Sequence, residues 1–197
     1  MKLIQGIRSA INAVLTGLST ATATAVTATD SILVAIGKLQ GQFNALAPSY
    51  LTYSGGSQAY GVTTLAAVNS TTFTFPSTGL YHVQYMITHD ANATTTGANF
   101  AVAGTAVIGS HFAAEVTYRV DGSTAGRTGY ALTTFVASGG AGVPAQSSNA
   151  TTNNRAKVDV WIDVATVGDI SLLAASEVTV ANGITVTAVT GFMKKEH

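Results

Sequence analysis

The sequence predicts an all-β domain, a sandwich or a barrel, preceded by a helical N-terminal arm. From Ser49 onward the chain reads as short strands separated by clusters of Gly, Asn, Ser and Thr, the pattern of sandwiches and barrels. No amphipathic helices alternate with these strands, which disfavours a doubly wound α/β architecture. Before Ala47 the apolar residues instead recur at intervals of three and four, a helical rhythm. The expected division is therefore an arm over residues 1–48 and a β domain over residues 49–197.

Two apolar patches make the arm. Ile4, Ile7, Ile11, Val14 and Leu18 have the a/d spacing of a coiled-coil seam, and Ile32, Ile36, Leu39, Phe43 and Leu46 repeat it in a shifted frame. The threonine-rich run between them is β-branched and alternates with period two, so it reads as loop or strand. Asp30 or Ser31 is placed to cap the second helix. Gly37 and Gly41 weaken that helix by about 1 kcal/mol each relative to alanine. Packing against other groups must then hold it. One reading makes both patches core-facing helix; the other makes them an oligomerising or docking arm that ends at Pro48, a natural helix stop. No run approaches the ~20 apolar residues of a membrane span.

In the β domain the expected strands are 72–75, 80–88, 114–120, 130–137, 158–164, 170–174 and 184–193, with loops at 91–99 and 138–154. Alternation over 80–88 places Tyr81, Val83, Tyr85 and Ile87 on a core face, and Leu80, His82, Gln84, Met86 and Thr88 on a mixed outer face. Pro76 fixes its own φ and Gly79 permits a φ that other residues resist, so the chain turns sharply before this strand.

Those residues carry a resemblance. Phe73-x-x-Pro76-x-x-Gly79-x-Tyr81, leading into Tyr85, resembles the motif that opens the aromatic strand in the trimeric jelly rolls of the complement first-component globular head and tumour necrosis factor. Three later features follow in the same order: Tyr118-Arg-Val-Asp-Gly-Ser123, the Gly168-Asp169 turn, and Thr190-Gly191-Phe192-Met193. The resemblance covers 49–197 and implies a tumour-necrosis-factor-like jelly-roll β-sandwich assembled as a homotrimer. There is no collagen repeat, and the charged residues that animal members use for ligands have no counterparts. Signalling and complement functions are therefore not carried over. Collagen-free jelly rolls with short helical or threonine-rich arms resemble bacteriophage head-fibre, capsid-decoration and tail-fibre proteins, an analogy of fold and composition.

Composition points the same way. The chain is 47% hydrophobic and only 9% charged, with nine basic and nine acidic residues. A surface so short of charge defends weakly against self-association, which favours an obligate oligomer. The balanced charge offers no field for nucleic acid or anionic lipid. With no cysteine, thiolate zinc sites and cysteine nucleophiles are excluded.

Chemistry-bearing patterns are sparse. Among His82, His89, His111 and His197 none has a second histidine at metal-ligand spacing; His89-Asp90 is the nearest to a pair, and His82 is the ring that a threefold axis could turn into a metal site. Gly140, Gly142 and Ala145 match a GxGxxA pattern, but Pro144 and a polar tract follow where a dinucleotide site needs a helix. No nucleophile elbow or triad is nominated, and no cofactor is expected. Asp159 and Asp163 flank Trp161 on one strand face, about 13 Å apart along the chain, too far for a glycosidase pair. That face is either a solvent face with one aromatic or a sugar platform, with Trp161 stacking and both carboxylates accepting hydroxyls.

The expected function is thus non-enzymatic. It is a virion-surface decoration or head-fibre protein, anchored by its arm to the major capsid protein or another virion structural protein. The alternative is a host-attachment module of a tail fibre or adhesin that recognises a surface glycan.

Overall fold

The structure is a computed structural model that describes residues 24–27, 29–119, 127–132, 146–147 and 150–196. The described residues fall into two compact units on either side of the Ala47–Pro48 bond. The first apolar patch (Ile4, Ile7, Ile11, Val14 and Leu18), the Gly140-Gly142-Ala145 match, Val120 to Ser123 and His197 lie outside the described residues.

The first unit contains helix α1, Ile32–Leu46. Ser31 caps it by accepting a hydrogen bond from the Val34 N–H, which satisfies one of the free donors of the first turn. Asp30 instead accepts from the Thr27 N–H and pairs with Lys38 at 2.9 Å. The preceding residues lie along one side of α1, where Lys38 and Gln42 donate to the carbonyls of Ala25 and Thr24. Gly37 and Gly41 are buried, while Ile32, Ile36, Leu39 and Phe43 are 76%, 47%, 55% and 69% exposed. Among the described residues the helix therefore buries its glycines and leaves Ile32, Ile36, Leu39 and Phe43 exposed, the reverse of a core-facing helix.

The second unit is an antiparallel β-sandwich. The larger sheet contains β1 (Ser49–Thr52), β2 (Gln58–Tyr60), β5 (Gly79–Ala91), β7 (Val107–Arg119), β8 (Arg127–Leu132), β10 (Asn154–Thr166) and β12 (Ile184–Lys195). Its order is β1-β12-β5-β10-β7-β8, with β2 also on β12. The smaller sheet contains β3 (Ala66–Ala67), β4 (Phe73–Thr74), β6 (Gly97–Gly104), β9 (Gln146–Ser147) and β11 (Asp169–Ser176), in the order β3-β11-β6-β9 with β4 also on β11. From β5 to β7 and from β10 to β12, successive strands change sheets, so most neighbours in a sheet are distant in sequence, the consecutive pair β7 and β8 excepted.

The core lies between the sheets. Burial along β5 alternates strictly, with Tyr81, Val83, Tyr85 and Ile87 inward, and β10 answers with Val158, Val160, Ile162 and Val164. Each such side chain contributes about 1.5–3 kcal/mol when fully covered. Phe73 packs on Tyr85 and Phe75 on Tyr81, with ring centroids 5.7 and 4.9 Å apart. The buried Tyr81 and Tyr85 hydroxyls donate to the carbonyls of Ser77 and Ile170. Gly79 has φ 126°, where a side chain is strained. The Gly168 carbonyl accepts from the Phe75 N–H, and Asp169 accepts from the Thr74 hydroxyl at 2.7 Å. The motif residues Phe73, Gly79, Tyr81, Tyr85, Gly168 and Asp169 thus build the core and its corners, with Pro76 in the bend before Gly79.

Four sequence expectations change. The loop expected over 91–99 is only 92–96, because β5 runs to Ala91 and β6 begins at Gly97. Strand β6 is small-residued and buried on both faces, so it shows no alternation. The strand expected at 114–120 begins seven residues earlier, at Val107, and strand β8 covers only the first part of 130–137, whose remainder is outside the described residues. Within 138–154 the chain forms β9 and the start of β10.

His89 and Asp90 do not act as a pair. His89 is buried in a T-shaped contact with Phe100, whereas Asp90 faces outward and accepts from the Asn153 N–H. Burial pushes the His89 pKa down to about 4, and the nearby Asp90 charge offsets part of this. Its Nδ1 has no hydrogen-bond partner. The unfolded chain therefore binds a proton that the folded chain refuses. Stability contributed by the neutral ring is complete above about pH 6.5 and is lost as pH falls toward 4. We expect His89→Leu to remove about 3 kcal/mol of the stability loss between pH 7 and pH 4, read by urea unfolding of both proteins across that range; parallel pH profiles would contradict it.

Candidate functional site

The outer face of the larger sheet carries the polar and aromatic side chains that the core excludes. Strands β5 and β10 pair without interruption from Gly79↔Val164 to His89↔Asn154, which sets His82 opposite Trp161 and Gln84 opposite Asp159. On the far side of β10, Ala113 and Glu115 of β7 stand opposite Trp161 and Asp159.

His82 and Trp161 stack with ring centroids 4.2 Å apart and planes 3° from parallel. His82 and Phe192 of β12 meet in a T-shaped contact with ring centroids 5.2 Å apart, so Phe192 belongs to this outer layer rather than to the core. Asp159 holds the arrangement together. It takes His82 Nε2 on one oxygen and, on the other, Lys157 Nζ at 2.6 Å and Gln84 Nε2 at 3.3 Å. Burial pushes its carboxyl up, but the bonds from Lys157 and His82 outweigh this and hold it below the usual carboxylate range. Asp159 is thus committed to its neighbours, and His82 Nε2 is committed to Asp159. Among the described residues no cluster of three His, Cys, Asp or Glu side chains is placed to hold a metal ion.

Asp163 has a different setting. The register between β10 and β7 breaks between Ile162↔Phe112 and Val164↔Ile108, so Gly109, Ser110 and His111 oppose Asp163 alone. This bulge turns the Ser110 N–H and hydroxyl onto Asp163 Oδ2 at 2.9 and 3.0 Å. The Ser110 N–H first, then its hydroxyl and the His111 charge, hold the Asp163 carboxyl below the usual range. A Cβ on Gly109 would run into Asp163 Oδ2, so only glycine lets the carboxylate reach the bulge. Bulges of this kind re-aim side chains at sites.

Ser110 Oγ also lies 2.7 Å from His111 Nδ1, which gathers serine, histidine and aspartate in one place. In a hydrolytic relay the imidazole stands between serine and carboxylate. Here the serine stands in the middle, so the carboxylate cannot orient the imidazole. An open groove of about 650 Å³ runs between the bulge, Trp161 and Leu80, with Phe112 and Ala113 in its wall.

Of the predicted sugar platform, Trp161 and Asp163 line this groove and Asp159 does not. Sequence reasoning missed His82, Ser110, His111 and Gly109 as parts of the site. The signal available was Gly109-Ser110-His111, three residues interrupting an apolar strand.

No protein-family model and no curated protein sequence matches the chain. Among solved structures, the crystal structure of the infectious bursal disease virus VP2 subviral particle aligns at 10% identity with a TM-score of 0.20, over 76% of this chain and 41% of that chain. The match spans less than half of that protein's length, and a score so low carries no argument about function.

Replacing Gly109 by valine should push Asp163 off the bulge. We expect its carboxyl pKa to rise toward the ordinary carboxylate value in an NMR titration of Gly109→Val, with the fold retained by circular dichroism. An unchanged titration would show that the bulge does not depend on the missing side chain.

Proposed function

We propose that this chain is a non-enzymatic structural protein of a virus particle of the bacteriophage head-fibre or capsid-decoration kind. In this reading it is a homotrimer whose β unit is a tumour-necrosis-factor-like jelly roll projecting from the virion surface. Residues 1–48 form the arm that joins it to the major capsid protein or another virion structural protein.

The observation that carries this reading is the apolar stripe of α1. Ile32, Ile36, Leu39 and Phe43 follow the four-three-four spacing of a coiled-coil seam and are exposed among the described residues. A second and third copy of the same helix would cover such a stripe. Two features support the jelly roll: strands that change sheets along the sequence, as Greek-key connections require, and the motif aromatics Phe73, Tyr81 and Tyr85 packed in the core. The charge-poor composition favours a surface partly covered by other subunits.

Light scattering should find three chain masses for the full protein, and the double variant Ile36→Asp, Leu39→Asp should be a monomer with an unchanged β spectrum. A trimer that survives both substitutions would contradict the seam. Added to particles that lack it, the full chain should bind, and a chain beginning at Ser49 should fold but not bind. Binding by the shortened chain would remove the anchoring role from the arm.

A further inference from the structure

The outer side chains of the larger sheet form a ladder of rings across the strands, and one rung is short. His82 on β5 stacks on Trp161 on β10, and the next position of the same row is Ala113 on β7. Neighbouring strands lie about 4.8 Å apart, so a ring above β7 would continue the stack. The methyl group of Ala113 leaves that place open. Trp161 is accordingly 44% exposed, and the groove opens there.

The bulge supplies a polar rim to this apolar wall. Asp163 receives its two protein hydrogen bonds on Oδ2, which leaves Oδ1 to accept from a ligand. The Ser110 hydroxyl and the exposed His111 ring line the same groove. One flat apolar wall with acceptors at its edge matches a ring with a C–H face and hydroxyls around its rim. A phosphate-bearing ligand would be repelled by the Asp163 carboxylate. A phenyl ring would leave the same carboxylate without a donor, and a tyrosine or tryptophan would bring one donor where a sugar brings several.

We propose that this groove binds a pyranose sugar. Its C–H face stacks on the indole of Trp161 in the place above Ala113, and its hydroxyls donate to Asp163 and exchange hydrogen bonds with Ser110 and His111. The inference does not depend on a virion location, since it rests on the sheet alone.

Trp161 is the one tryptophan of the chain, so intrinsic fluorescence reads the site directly. The full chain is titrated with the methyl glycosides of glucose, galactose, mannose and N-acetylglucosamine at millimolar concentrations, the range expected of a small shallow site. At least one should give a saturable change. Ala113→Leu fills the open rung from an exposed position and keeps the indole, and should weaken the response about tenfold or more; Asp163→Asn should weaken it similarly in calorimetry, and decides the matter if Ala113→Leu fails to fold. No saturable response to any of the four glycosides, or a response that both variants retain, overturns the proposal. So does a change in oligomeric mass on Ala113→Leu, which would make the open rung a contact between copies of this chain.

Discussion

The pairing of β5 with β10 is the constraint on which the rest of this β unit depends. Both strands are thirteen residues long and central in the larger sheet. Because side chains alternate with period two, one register decides both faces at once. Inward it puts Tyr81, Val83 and Tyr85 against Ile162, Val160 and Val158; outward it puts His82 on Trp161 and Gln84 on Asp159. A slip by one residue would carry the polar row into the core and the tyrosines into water, so the core's apolar burial protects the geometry of the outer face.

The outer face then shows two devices with different costs. The network of Asp159, Lys157, Gln84 and His82 leaves few polar atoms unanswered, so the indole is held by a ring that cannot drift. At the edge of that network the sheet departs from regularity, and three β7 residues oppose Asp163. The ladder is interrupted there, and the hydrogen bonds that regular pairing would have used go to a carboxylate instead. A stiff aromatic wall beside an irregular polar rim is the arrangement that small-ligand sites use. Both are anchored on β10, which pairs with β5 on the wall side and with β7 on the rim side.

Much of the fold was legible in the sequence because it rests on local pattern. Alternation over 80–88 and 158–164 identified the two central strands and their core faces, and Pro76 and Gly79 identified the turn. The helix over Ile32–Leu46 followed from its spacing. The small-residued β6, buried on both faces, had no period to detect, and the edge strands β1, β2 and β3 are too short to show one. The site was less legible. Trp161 and Asp163 could be placed on one face, but the partners His82 and Ser110 lie 79 and 53 positions away in the chain, and only the register brings them together. A bulge adds no composition signal beyond a glycine in an apolar strand. The sequence reading also treated Asp159 and Asp163 as equals, although Lys157 stands two residues before Asp159 on the same strand face, whereas the Ser110 N–H that holds Asp163 is 53 positions away.

The claim that the β5–β10 register sets the outer face is tested most directly by the ring of His82. With selective isotope labelling of histidine, its imidazole protons should be shifted strongly upfield by the ring current of the indole stacked 4.2 Å away, and should return to ordinary positions in Trp161→Ala. Imidazole shifts for His82 that are ordinary in the unaltered protein, or unmoved by the substitution, would contradict the stack and the register that produces it.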